Sequence, residues 1–351
     1  MRSFLTPLLF ILIGLGIASV IAFQSFSLEK QLPEDDEQQG LNGQVIIKFS
    51  HVVAENTPKG LAAQRFASLV EKYSDQKVRV EVYPNQSLYS DGEEIEALQR
   101  NEVQMIAPAA SKLTELSPKW QLLDLPFIFP NHDALKDALG GDIGKELLGA
   151  LEEQDIKGLS FWSNNFKQIT SNSPIRHPSD FKGKNFRIMK SRVLEEQFRH
   201  FGATTSMTAF NDTFRNLEKN QLDSQENTIS NINSKKLYQV QKYMTISDHG
   251  YLGYAVLVNK QFWDGLPRDI KEDIEKAMAE TTDWLWDKSQ EMNTQQMQEI
   301  KSNSNIQIYQ LTEDEKKEWM REMTVVYEEF EPSIGKDLME RAQLIRNKYT
   351  P

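Results

Sequence analysis

The chain has 351 residues, enough for two domains or one elaborate one, and its 39% apolar and 26% charged content is that of a soluble folded body. Its formal net charge of -11, with no basic stripe, argues against a nucleic-acid partner. The absence of cysteine excludes disulfides, thiolate nucleophiles, zinc–cysteine sites and lipid attachment through an N-terminal cysteine.

Residues 4–23 carry no charge, and at a rise of about 1.5 Å per residue they cover the roughly 30 Å of a bilayer core. The nearby positive charge, Arg2, lies on the N-terminal side, which keeps that end in the cytoplasm and exports the rest. Two readings stay open: an uncleaved membrane anchor, since the run exceeds the roughly 7–15 residues of a signal core, or a signal cleaved after the small-residue pattern Val20-Ile21-Ala22. Residues 24–43 are acidic and poorly periodic, as in a flexible tether.

The folded part begins with the strand "VIIKF" at 45–49. Thr57 followed by Pro58 is a helix cap with proline at the first helical position, and Ala62, Phe66, Leu69, Val70 and Tyr73 then share one helical face over 58–74. A strand at 78–83 completes a β-α-β unit, so the pairing is expected to be parallel. Asp91, with Glu94 three residues on, is expected to cap the helix "GEEIEALQR", and "VQMIA" at 103–107 is the next strand. "DLPFIF" at 124–129 reads as buried; a helical run over 133–154 leads to a strand at 158–163.

A second β/α series follows. Strands are predicted at 167–171 and 184–189; Ser191 caps a helix that Gly202 closes; short strands follow at 204–207, 221–226 and 242–246. The apolar stretch 249–260 reads as a long strand that could pass between two sheets. Residues 268–301 have helical composition over more than thirty residues, far beyond the usual length of about 11–12, as a brace between domains would. Thr312 with Glu315 forms a capping box for a further helix. The expectation is an α/β protein of two lobes, the chain crossing between them more than once.

No catalytic set is visible. The histidines His51, His132, His177, His200 and His249 make no zinc-protease pair, and there is no Gly-x-Ser-x-Gly elbow, phosphate loop or dinucleotide fingerprint. The carboxylate pairs Glu93/Glu94 and Glu195/Glu196 read as solvated helix faces, and Trp284/Trp286 as core or lobe-bracing residues. No cofactor and no metal is implied. In "GKNFRIMKS", 183–191, Phe186 and Ile188 share one face of a strand and Arg187 and Met189 the other. An arginine there either pairs with an acid or meets a ligand, and the alternation does not decide which.

The stretches "FSHVVAENTPKG", "VEVYPNQSLYSDGEEIEALQ", "DLPFIF", "NFRIMKS", "DSQENTISNI" and "HGYLGYAVLVNKQFW" occur in this order over roughly residues 45–265. The sequence so resembles the DctP family, extracytoplasmic solute receptors of tripartite ATP-independent periplasmic (TRAP) transporters, and its C4-dicarboxylate-binding branch of bacillar type in particular. The resemblance implies a two-lobed periplasmic-binding-protein-like fold with a ligand cleft between lobes and a long bracing helix. It places residues 44–165 with about 253–292 in one lobe and 166–252 with about 293–351 in the other. It implies capture of malate, fumarate or succinate without chemistry, outside the cytoplasmic membrane, with the membrane subunits of a transporter as partner. A co-sensor serving a membrane sensor kinase, and an extracytoplasmic enzyme using His51 or His249 as base, are the alternatives.

By the same resemblance Arg187 forms a two-point pair with a ligand carboxylate, and Asn227 donates to the same group. Lys167, in "NNFKQ", takes the place of the arginine in an "NGFRQ"-like motif. Physics agrees for Arg187, whose planar guanidinium matches a carboxylate and stays charged in a dry cleft. His51, Lys112, Phe210, Gln225 and Tyr251 are further candidates. The departures are Asn165 and Ser224, each standing where the family pattern has glycine; Asn tolerates left-handed backbone, whereas Ser224 bears on the turn expected there.

Overall fold

The computed structural model of the protein describes residues 44–350, so the apolar run at 4–23 and the acidic stretch at 24–43, with the expectations placed on them, lie outside the described residues. Among the described residues no helix is long and apolar enough to cross a membrane.

Strand β1 (Val45–Ser50), helix α1 (Pro58–Tyr73) and strand β2 (Val78–Tyr83) form the expected β-α-β unit, with β1 and β2 parallel. The Gly60 amide donates to Thr57 Oγ1 at 3.2 Å, so the cap read from the sequence is present. Helix α2 (Glu94–Gln99) starts differently from the expectation: its cap position is Glu93, whose carboxylate accepts from the Ser90 amide at 3.0 Å, and Asp91 is left for another role. Strand β3 is only Met105–Ile106 and stops short of Pro108, which has no amide to donate. The helical run expected over 133–154 is divided into α3 (His132–Gly140) and α4 (Asp142–Gly149), parted at Gly141.

Two long strands then carry the molecule. The pairs of strands predicted at 158–163 and 167–171, and at 242–246 and 249–260, are single elements: β4 (Ile156–Ser171) and β8 (Tyr243–Asn259), antiparallel to one another. The sequence suggested separate strands because each is interrupted. The register shifts between Ser163 and Phe166 and again between Lys167 and Ile169, and Asn165 (φ 89) and Asp248 (φ 48) take left-handed backbone there. Between the two long strands in sequence lie β5 (Asn185–Ile188), α5 (Arg192–His200), β6 (Thr204–Met207), α6 (Thr213–Glu218), β7 (Ser224–Asn227) and α7 (Ile229–Ser234). After β8 come α8 (Lys260–Gly265), α9 (Arg268–Asn303), β9 (Gln307–Gln310) and α10 (Glu313–Met323), then α11 (Val326–Ile334) and α12 (Lys336–Tyr349).

The strands make one nine-stranded sheet in the order β2-β1-β3-β8-β4-β7-β5-β6, with β9 added on β8, instead of two separate sheets. The downstream half of β8 pairs with β3 and the start of β4; its upstream half pairs with the end of β4 and with β9. Each half of the sheet has its own core. Phe49, Phe66, Val256 and Trp162 pack at one, while Phe181, Phe186, Ile188, Phe198 and Trp319 pack at the other. The Phe186 and Phe198 rings stack with centroids 4.5 Å apart, which seats β5 by the face that its alternation assigned to the interior. Helix α9 is 36 residues long and braces both ends: Ile270, Ile274 and Leu285 join the first core, and Ile300 packs against Leu217, Ile232 and Met244. Ser224 sits in regular strand opposite Ser171, so no special turn is required where the family pattern has glycine.

Candidate ligand-binding site

With Phe186 and Ile188 held in the core, the alternation of β5 turns Arg187 and Met189 to the opposite side, where both line a small cavity of about 30 Å³. Arg187 is buried, and its Nε and Nη2 donate to the Thr208 carbonyl at 3.1 and 2.9 Å. Among the described residues no carboxylate lies within 4.0 Å of its guanidinium, so the salt-bridge reading of this residue is not what the structure shows. Burial lowers its pKa, with Asp91 and Glu226 partly offsetting from further away, yet a guanidinium remains charged under such a shift. The Thr208 carbonyl occupies one edge of the planar fork. The donors left over are on Nη1 and the second hydrogen of Nη2, an end-on pair with the spacing of a carboxylate.

Asn227, at the end of β7, lines the same cavity. Its Oδ1 accepts from Thr228 N at 3.1 Å and from Asn231 Nδ2 at 2.8 Å, so its remaining polar group is the Nδ2 donor. Phe210 lies against Val52 and Val53, from the loop after β1, and supplies an apolar wall. Lys112, in the 3-10 turn Ala110–Glu115 after β3, is at the wall as well, with its Nζ 2.6 Å from Asp91 Oδ1. Four of the residues expected at a ligand, Arg187, Asn227, Phe210 and Lys112, are therefore brought to one cavity.

Four others are not. The Lys167 ammonium is buried and 2.6 Å from Glu226 Oε1, while Glu226 Oε2 is 2.8 Å from His249 Nε2. Burial would push the Glu226 carboxyl up, but the Lys167 charge and the His249 bond hold it at about 2. Lys167 is thus placed by an internal acid, a partner that the resemblance to an arginine motif did not reveal. Gly250 makes the room: a Cβ there would lie 2.7 Å from Lys167 Cε. Gln225 donates to Thr170 Oγ1 at 2.8 Å within the sheet. The Tyr251 ring belongs to an apolar core and rests on Gly253, where a Cβ would meet its hydroxyl at 1.9 Å. His51 is fully buried; burial, then the charge of Lys59, lowers its pKa to about 3, so the ring is neutral and sits off the cavity wall.

The sequence reading missed Asp91 as a wall residue, Asn231, Tyr254 and the Lys59–Glu94 pair beneath them. Glu94 was assigned to a solvated face; it is in fact 0% exposed. The signal was available: Lys59 precedes Ala62 and Phe66 by three and seven residues, and Glu94 precedes Ala97 and Leu98 by three and four, which puts both on buried helix faces. Among the described residues no group of three or more His, Asp or Glu side chains could hold a metal ion. The arrangement offers a fixed cationic fork, an amide donor, an apolar wall and an ammonium paired with Asp91, a set suited to holding an organic anion.

The comparisons with known proteins agree with that chemistry. Residues 49–333 match the model of DctP, bacterial extracellular solute-binding protein, family 7. The chain is 50% identical over 340 residues to the C4-dicarboxylate-binding protein DctB of Bacillus subtilis (strain 168), covering 97% of each chain. It is 45% identical over 292 residues to the C4-dicarboxylate-binding periplasmic protein DctP of Rhodobacter capsulatus, covering 83% of this chain and 88% of that one. A TRAP periplasmic solute-binding protein from Shewanella oneidensis, solved with bound succinate, superposes with a TM-score of 0.84 at 39% identity, covering 86% of this chain and 99% of that one. One from Pseudomonas aeruginosa PAO1 with bound L-malate gives 0.80 at 35% identity, covering 81% and 99%. These neighbours are two-lobed TRAP receptors, and the sheet and bracing helix described above are their architecture. The chain belongs to the DctP family of bacterial extracellular solute-binding proteins.

Proposed function

We propose that this protein captures a C4-dicarboxylate, of the succinate, malate or fumarate type, outside the cytoplasmic membrane and delivers it to the membrane subunits of a TRAP transporter. The observation that carries the reading is Arg187: a buried guanidinium in a cavity wall, with no described carboxylate within ion-pair distance and two donors left on its open edge. Burying an unpaired cation is costly unless an anion completes the site. Asn227 Nδ2 adds a donor for the same carboxylate, Phe210 with Val52 covers the short carbon chain, and the Lys112–Asp91 pair lies at the same wall, toward the second carboxylate. The breaks in β4 and β8 at Asn165 and Asp248 are the hinge about which the two lobes close on the ligand. The relatives named for C4-dicarboxylates and the neighbours holding succinate and L-malate support this ligand class.

A thermal-unfolding panel tests it, since a ligand that binds the folded state stabilises in proportion to ln(1 + [L]/Kd). Succinate, L-malate or fumarate is expected to raise Tm, and butyrate, which keeps the carbon chain but loses one carboxylate, is expected to do little. Equal shifts with butyrate and succinate would sink the two-carboxylate reading.

A further inference from the structure

Beneath the cavity lies a group of charges that the capture step does not use. Glu94 is 0% exposed, and neither of its carboxylate oxygens accepts a hydrogen bond from a described residue. Lys59, in the first turn of α1, is likewise buried; its Nζ donates to the Ala107 carbonyl at 2.8 Å and stands 3.8 Å from the centroid of the Tyr254 ring, itself a cavity wall. The groups that face Glu94 electrostatically are Lys59 from α1, Asp91 from the turn before α2, Lys112 from the turn after β3 and Tyr254 from β8. His51, from the loop after β1, faces Lys59, and Arg187 faces Asp91.

The charge balance of this group is informative. With both carboxylates ionised, Lys59 and Lys112 are cancelled by Glu94 and Asp91, so the cluster is neutral and offers nothing net to a ligand. Arg187 alone then faces two negative charges. Protonating Glu94 leaves the cluster with one positive charge, and a dianion is neutralised by Arg187 and the cluster together. Glu94 is the member built to accept the proton, because it is the fully buried one whose oxygens have no donors to stabilise the ionised form. Resting on the anion-capture reading above, we propose that Glu94 is a ligand-linked proton site: the dicarboxylate binds together with one proton, taken from a buffer acid onto the Glu94 carboxylate. Burial, opposed by Lys59 and Lys112, holds the Glu94 carboxyl well above the usual carboxylate range, and an added anion raises it further.

Calorimetric titration of the full chain with succinate at pH 7.5, in phosphate and in Tris, reads the proton directly, because the two buffers differ in ionisation heat. The expected result is a different apparent enthalpy in the two buffers, corresponding to a fraction of a proton and at most one per succinate. Affinity is then expected to fall as pH rises above neutral, by at most about tenfold per unit. Infrared difference spectra on adding succinate are expected to show the C=O stretch of a protonated carboxylic acid, absent in Glu94→Gln. Equal heats in both buffers, or the same band in Glu94→Gln, overturns the proposal. Succinate binding with equal heats removes the proton site alone, whereas no succinate heat in either buffer removes the capture reading with it. The buffer comparison uses the unaltered protein, so equal heats overturn the proposal even if Glu94→Gln fails to fold.

Discussion

Arg187 and Lys167 are both cations buried on sheet strands, and the residue each meets separates their roles. Lys167 has Glu226 at 2.6 Å; Arg187 has the Thr208 carbonyl and an open edge. Removing the acid from the buried pair leaves an uncompensated ammonium, so Glu226→Gln is expected to lower stability by about 3–5 kcal/mol in urea unfolding. The pH dependence has a definite sign. The Glu226 carboxyl is depressed from its ordinary 4.5 to about 2 in the folded protein, so its contribution is complete above 4.5 and is lost as pH falls toward 2. Glu226→Gln should flatten the stability profile in that window, and a variant that keeps the full acid slope would refute the assignment. At this scale the sequence was partly legible: the alternation put Arg187 on the face away from Phe186 and Ile188, where it lies, but a strand pattern cannot name the partner on a neighbouring strand. The internal partner of Lys167 was missed for that reason, since Glu226 is 59 residues away in the chain.

The elements were easier to read where a local signal sets them. Thr57, Ser191 and Thr312 cap their helices as the residue types suggest, because a cap is decided within one turn. Asp91 failed as a cap because a tertiary partner, Lys112, engages its carboxylate instead. Strands β4 and β8 were read as broken because they are bent, and only the pairing across the sheet shows each as one element. Asn165 makes one bend at φ 89, with Oδ1 3.0 Å from His132 Nε2. Asn165→Ala and Asn165→Gly both lose that side-chain contact, so the difference between them isolates the backbone. The alanine variant is expected to be less stable than the glycine variant by about 1 kcal/mol in chemical denaturation. Equal stabilities would show that the bend stores no left-handed strain.

For the whole molecule, an acidic protein of net charge -11 keeps an arginine without a described acidic partner in a cavity wall. The two halves of the sheet share β4 and β8, and α9 runs from the core around Phe49 and Phe66 to the cluster of Leu217, Ile232 and Met244. Two lobes and a bracing helix were legible from the β/α succession and from the length of 268–303, whereas the merging of two expected sheets into one was not, because the join lies in strand pairing and leaves no periodic trace. The central claim is that Arg187 receives a ligand carboxylate, and calorimetric titration of Arg187→Ala with succinate beside the unaltered protein tests it most directly. Saturable one-to-one binding to the unaltered protein and a loss of about 2–5 kcal/mol in the variant are expected, with both proteins folded by circular dichroism. Undiminished succinate affinity in Arg187→Ala would contradict it.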